Sequence, residues 1–376
     1  MKRICVAVSN DLVSDNRVAK TCRSLMRMGL DVTLIGRRKR GRSPRMTKRS
    51  YRVRRMNLLF SKSLWFYAEF NFRLGIYLLC HRQDIIWSND LDTLPACRLV
   101  SRLKRIPLIY DSHELFTEVP ELKYNRFAKK TWKRIEKCIV PKLKYVITVC
   151  NPIAEYFAKN YGVSATIVRN LPPKDISFDF NLMHGQFDYI IPTDKPILIW
   201  QGSINIERGL EELICAMKQI NARLYIIGEG PILNYLRDTV QREQLYGKIT
   251  FIHRLTFERM MSLTRQATLG LSLDKNTNGN YEISLPNKVF EYIAAHVPIL
   301  CSDLKEIRHT IGDLKVGEFI SEITPEEIAR RINNLLLQPD LLAEYKHNTF
   351  AASEILCWEN EEQKIQNLVW QILNLN

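Results

Sequence analysis

One arrangement occurs twice along this chain: a short apolar run, a helix with one apolar face, then another apolar run. The first copy is Lys2–Ser9, Asp15–Gly29 and Asp31–Gly36. In its helix Val18, Cys22, Leu25 and Met26 recur at helical spacing, and Gly29 ends it. The second copy begins at Pro196–Trp200 and turns through Gln201-Gly202-Ser203-Ile204. It then enters a helix opened by Arg208-Gly209 and returns to a strand at Arg223–Gly228. Apolar strands alternating with helices imply a parallel sheet covered on both faces. Two such series predict an α/β chain of two Rossmann-like domains, which suits 376 residues. The boundaries expected are 1–173, a linker at 174–194, 195–357, and a closing helix at 358–376. The linker begins after Arg169-Asn170-Leu171-Pro172-Pro173 and is irregular and polar.

Charge separates the halves. Residues 1–180 carry 36 Lys and Arg against 15 Asp and Glu, a net of +21; the remainder carry 19 against 25, a net of −6. A half this basic calls for an anionic partner, whether nucleic acid, a membrane surface or a phosphorylated lipid. Nine cysteines are scattered singly, with no C-x-x-C pair and no Cys/His cluster. Neither a disulfide framework nor a zinc site is expected, and a reducing compartment is. Ser63–Cys80 is apolar but contains Glu69 and Arg73, so it is not read as a spanning helix. The first residues read as a strand rather than a cleavable leader. The expected location is therefore cytoplasmic, and with the basic half it is peripheral on the inner face of the membrane.

Strand ends supply the candidates of the first half. Asp84–Ser88 delivers Asn89-Asp90-Leu91-Asp92, and Pro107–Asp111 delivers Ser112-His113-Glu114. In open α/β sheets ligands bind at the carboxyl ends of strands. His113 stands there between carboxylates, which makes it a site candidate rather than a core histidine. Asn89, Asp90 and Arg17 are acceptor-side candidates. Arg37–Arg55 is a basic stretch, and the aromatic helix Ser61–His81 follows it. Together they read as a peripheral membrane contact or as a core helix beside a solvated loop. Arg126–Val140 reads as a basic helix with Phe127, Trp132, Ile135 and Ile139 inward.

In the second half the stretch from Gly279 to Pro298 concentrates the chemistry. Ser284 can cap a helix and Pro286 fits its first turn. Phe290, Ile293, Ala294 and Val297 make a buried face, while Lys288 and Glu291 share another stripe. A helix N-terminus suits phosphate oxygens, and Glu291 can accept from sugar hydroxyls. The same pattern is compatible with an exposed Lys–Glu pair on an ordinary helix. Arg208 opens a helix after a glycine turn, an unfavourable place for a cation unless an anion is near.

Ser-Leu-Pro-Asn-Lys-x-Phe-Glu-Tyr-x-Ala-Ala, running from Ser284 to Ala295, resembles the nucleotide-sugar signature of the family 4 (group 1) retaining glycosyltransferases. Gly202–Gly209, Asp111–Glu118 and Arg169–Pro173 resemble that family's other motifs, in the same order. The resemblance implies the GT-B fold, with two Rossmann-like domains facing across a cleft and the last helix crossing back to the first, through Leu368, Ile372 and Leu375. It implies a nucleotide-sugar donor on the second domain. Gly202, Ser203, Arg208, Ser284, Leu285, Pro286, Asn287 and Lys288 would hold its diphosphate and Glu291 its ribose. His113 would contact sugar or acceptor. The family's earlier Glu would fall on Ile283. Either Glu282 takes that catalytic place through a bulge, or backbone of residues 284 to 287 does.

The resulting expectation is a retaining glycosyltransferase that builds a bacterial surface polysaccharide or lipopolysaccharide. Its partners would be a glycolipid or glycan acceptor and an anionic membrane surface, with no nucleic acid. No metal and no cofactor beyond the donor co-substrate is required. Two rivals stay open. A sugar-nucleotide 2-epimerase would use the same fold. A nucleic-acid-binding protein would use the +21 half, but no helix-turn-helix, zinc finger or aromatic RNP-type strand supports it.

Overall fold

A computed structural model describes residues 1–13, 15–38, 46, 48–119, 122, 125–176, 194–276, 283 and 285–374. Two compact units emerge: 1–170 with 361–376, and 171–360.

The first unit opens with β1 (Arg3–Ala7), α1 (Asn16–Arg27), β2 (Asp31–Arg38) and β3 (Arg52–Asn57). It continues through α2 (Ser63–Cys80), β4 (Ile85–Asn89), α3 (Asp90–Lys104), β5 (Leu108–Ser112) and α4 (Arg126–Ile139). β6 (Tyr145–Thr148), α5 (Asn151–Tyr161) and β7 (Ala165–Ile167) complete its sheet. The strands are parallel in the order β3-β2-β1-β4-β5-β6-β7. The order reverses between β1 and β4, so the loops after those strands splay apart and leave a crevice at their carboxyl ends. β2 runs two residues past Gly36 because Arg37 and Arg38 pair with Met56 and Asn57 of β3.

The second unit comprises β8 (Ile197–Ser203), α6 (Leu210–Ala216), β9 (Arg223–Glu229), α7 (Leu233–Arg242), β10 (Ile249–Ile252) and α8 (Phe257–Thr264). Then come β11 (Leu269–Ser272), α9 (Asn287–Ala294), β12 (Ile299–Ser302), α10 (Lys305–Ile311), β13 (Gly317–Ile320), α11 (Pro325–Leu336) and α12 (Pro339–Ile355). Its parallel order, β10-β9-β8-β11-β12-β13, reverses between β8 and β11. Side chains alternate across the sheet. Leu198 and Trp200 enter the core under α6 and α11, while Ile197 and Ile199 enter the one under α9.

Two local expectations are corrected. α9 begins at Asn287, with Pro286 as its cap residue at ψ 126°, and not at Ser284 with Pro286 inside. Pro286 stays extended and its carbonyl starts the ladder by accepting from the Val289 N–H. α4 is rotated relative to the pattern reading: Phe127 is 71% exposed, and Ala128, Trp132 and Glu136 point in. Burying Glu136 is possible because Tyr161 donates to it at 2.8 Å, with Tyr156 and Thr117 further off. The closing helix, α13 (Trp358–Asn374), buries Ile365, Val369 and Ile372; Leu368 is half-buried, and Leu375 lies outside the described residues. α13 is tied to the first unit by Glu361, which accepts from the Arg169 N–H, and by Glu362, which pairs with Arg27.

Candidate functional site

In the first unit the crevice is built from the ends of β1, β4 and β5. Asn89 closes β4 and is 1% exposed; its amide donates to the Ala7 carbonyl and joins the two strand ends. Asp90 follows in a left-handed conformation, φ 58°, which aims its carboxylate at the end of β5. One Asp90 oxygen accepts from the His113 N–H at 2.9 Å, and the other is 3.2 Å from His113 Nδ1. On the far side of the ring, Nε2 stands 3.4 Å from Asp111. Burial works against a charged imidazole, but Asp90 and Asp111 outweigh it and raise its pKa to about 10. His113 is therefore an imidazolium at neutral pH, with a carboxylate facing each ring nitrogen.

Arg17 lies beneath, 5% exposed, donating to Asp111 at 2.7 Å and to the Val168 carbonyl at 2.8 Å. Burial opposes the Asp111 charge, yet Arg17 and His113 hold its carboxyl well below the usual range. The Asn89 amide and the Arg17 guanidinium are thus both engaged inside the unit, whereas Asp90 and His113 keep about a fifth of their side-chain surface exposed. Asp92, bonded to Ser9, is pushed up to about 7 by burial and by Asp90.

In the second unit the corresponding crevice lies between β8 and β11. Gly202 and Ser203 form the exposed tip of β8, with Gly202 at φ 137°, a backbone that L side chains rarely adopt. Gly209 starts α6 at φ 70°; a Cβ there would lie 2.3 Å from the Leu273 carbonyl oxygen. That close approach brings Arg208 onto the end of β11. Arg208 donates to Asp274 at 2.9 Å, and Lys288 reaches the other oxygen of the same carboxylate at 3.3 Å. Asp274 is 1% exposed and Lys288 6%. The Lys288 ammonium also lies 4.4 Å over the Trp200 ring. Burial and the Arg208 charge lower the Lys288 pKa against the pull of Asp274.

One turn on, half-buried Glu291 accepts from the Gln201 amide at 2.5 Å, and Thr264 donates to that amide's oxygen at 2.6 Å. Leu285 and Pro286 are half-buried beside it, and Asn287 is exposed at the start of α9. The structure thus gathers Gly202, Ser203, Arg208, Lys288 and Glu291 around one strand edge. Glu282 and Ser284 lie outside the described residues. Asp274, Gln201 and Trp200 were missed by sequence reasoning. Asp274 had a usable signal, as a lone carboxylate directly after a strand that leads toward the Gly279–Pro298 stretch. Chemically, the second crevice offers two cations on one carboxylate, the N-terminal backbone of α9, and a carboxylate–amide pair suited to hydroxyls.

Residues 14–174 match the family described as a glycosyl transferase 4-like domain, and residues 186–351 match the glycosyl transferases group 1. An alpha-D-kanosaminyltransferase from Streptomyces kanamyceticus is 22% identical over 256 residues; the match spans 65% of this chain and 64% of that protein. Among solved structures, sucrose-phosphate synthase from Thermosynechococcus elongatus superposes with a TM-score of 0.82 at 16% identity, covering 100% of both chains. HepE of Anabaena in complex with UDP-glucose gives 0.74 at 13%, covering 99% of this chain and 100% of that one. WaaG, a glycosyltransferase involved in lipopolysaccharide biosynthesis, gives 0.71 at 13%, covering 97% and 98%. These likenesses bear on the fold, and the family matches account for both units: the chain belongs to the group 1 glycosyltransferases, an enzyme family of GT-B fold.

Proposed function

We propose that this protein moves a sugar from a nucleotide-diphosphate sugar to a lipid-linked or envelope-glycan acceptor, with retention at the anomeric carbon. The observation that carries the reading is the pair Arg208 and Lys288 on Asp274, beside the start of α9 and Glu291. A diphosphate brings more negative charge than one carboxylate, and it meets two cations that are already largely withdrawn from water. Arg208 and Lys288 offset charge that grows on the leaving diphosphate, and the backbone N–H groups of Leu285 and Asn287 assist. Glu291, oriented by Gln201, accepts from the ribose hydroxyls. Gly202 and Ser203 leave room for the diphosphate at the tip of β8. The UDP-glucose held by HepE supports a donor of this class.

The first unit takes the acceptor side. His113 is a fixed cation that orients sugar or acceptor hydroxyls, Asp90 positions it, and Asn89 and Arg17 fix the strand ends that carry them. Glu282, or backbone of residues 284 to 287, serves the place of the family's earlier Glu. The net +21 of residues 1–180 supports an acceptor at the inner face of an anionic membrane, and the part WaaG plays in lipopolysaccharide biosynthesis supports an envelope-glycan acceptor. The test is product analysis with UDP-, GDP- and ADP-sugars, with and without a lipid-linked glycan acceptor. An α-linked product from an α-linked donor is expected. A β-linked product would overturn retention, and conversion of the donor to its 2-epimer without acceptor would overturn transfer.

A further inference from the structure

Helix α2 is apolar on both of its faces. Phe66, Phe70, Leu74 and Leu78 are buried against the first unit. On the opposite side Trp65, Phe72, Ile76 and Leu79 are 68%, 70%, 47% and 46% exposed, at the spacing of a single stripe. α3 packs alongside and adds exposed Leu99 and Leu103. α4 lies in the same layer, with the Tyr67 and Trp132 rings 5.1 Å apart, and presents the exposed stripe Arg126, Lys130, Arg134 and Lys137. Glu118 takes up Lys129 and Lys133; among the described residues no ion pair takes up the four outward cations.

The acids of these helices are turned away. Glu69 keeps 10% of its side chain exposed and accepts from the Leu59 and Phe60 N–H groups, Asp92 is 6% exposed, and Glu136 is 1% exposed. Asp90 holds His113. A soluble surface normally mixes signs and avoids a continuous apolar stripe. This one combines exposed rings and aliphatic side chains with positive charge only, which is the chemistry of a headgroup layer. No helix among the described residues is long and apolar enough to cross a membrane, so the contact is lateral.

We infer that the outer face of α2, α3 and α4 docks onto an anionic lipid bilayer, with Trp65, Phe72, Ile76 and Leu79 among the acyl chains and the α4 cations on the headgroups. The inference rests on the lipid-linked acceptor reading and names the surface that serves it. The probe is sedimentation of the full chain with phosphatidylglycerol-containing vesicles, at low salt and at about 0.5 M salt. Zwitterionic phosphatidylcholine vesicles are the control. Two variants accompany it, Trp65→Ser/Phe72→Ser/Leu79→Ser and Lys130→Glu/Arg134→Glu.

Salt-sensitive binding to anionic vesicles is expected, with a Trp65 blue shift. Each variant should weaken binding by about tenfold or more. All these positions are exposed, so nucleotide-dependent thermal stabilisation should be unchanged in both. Indifference of the wild type to anionic vesicles, or equal binding by the variants, would overturn the inference. So would self-association of the wild type that the same substitutions abolish, because the face would then belong to a second copy. The nucleotide arm separates the readings: a wild type that ignores anionic vesicles yet keeps its nucleotide shift sinks the docking face alone, and a wild type that binds vesicles but shows no nucleotide shift sinks the donor site alone.

Discussion

At the scale of single residues, two buried ion clusters define what each unit can do. Asp274 carries Arg208 and Lys288 on separate oxygens, so removing it leaves two cations facing each other, one of them buried. Asp274→Ala is expected to destabilise the protein by about 3–5 kcal/mol in urea unfolding, and saturating nucleoside diphosphate should restore part of the loss. Full stability without ligand would show that the cluster is not held together by this carboxylate. In the first unit the His113 pKa, at about 10, lies above the ordinary value of 6.5. The folded state binds that proton more tightly. Its stabilising contribution is complete below about pH 6.5 and is lost as pH rises through about 10. His113→Gln should therefore flatten the decline of stability between pH 7 and 10, and identical slopes in the two proteins would contradict the pairing. Such clusters were only half visible in the sequence. Asp111 and His113 are neighbours at a strand end, but the charge that settles Asp111 comes from Arg17, ninety-four positions away in sequence.

At the scale of elements, strands and helices follow apolar period and capping residues, and those signals are local. Apolar runs marked β1, β4, β5, β8, β9 and β11, and strand ends then pointed to Asn89, His113 and Gly202. What the pattern missed was set by packing across the sheet. α4 has apolar residues on two stripes, and periodicity alone favoured Phe127; the three hydroxyls that satisfy Glu136 decide for the other stripe. Phe127→Ser should consequently change stability by less than about 0.5 kcal/mol, while Trp132→Ala should cost about 3–5 kcal/mol. Comparable losses would return Phe127 to the core. The turn between β8 and α6 gives a second check. Gly209→Ala adds a Cβ 2.3 Å from the Leu273 oxygen at a positive φ. The β8–α6 turn cannot relax without moving Arg208. A loss of about 2 kcal/mol or more is expected, together with weaker nucleotide binding; an unaltered variant would show that this approach is loose.

At the scale of the whole molecule, both sheets reverse strand order once, β1/β4 in the first unit and β8/β11 in the second, and each reversal carries a charged cluster. The chain thus repeats one architectural solution with opposite emphasis. The first crevice holds an imidazolium between carboxylates, and the second holds two cations and a carboxylate beside a helix start. The central claim is that the second crevice binds a nucleoside diphosphate. The most direct measurement is thermal unfolding with UDP, GDP and ADP and their sugar conjugates, for the wild type and for Glu291→Ala. A ligand confined to the folded state raises the melting temperature. The account predicts a clear rise with one nucleoside diphosphate, retained with its sugar conjugate and lost or strongly reduced in Glu291→Ala. No rise with any of them, or a rise that Glu291→Ala leaves intact, would contradict it.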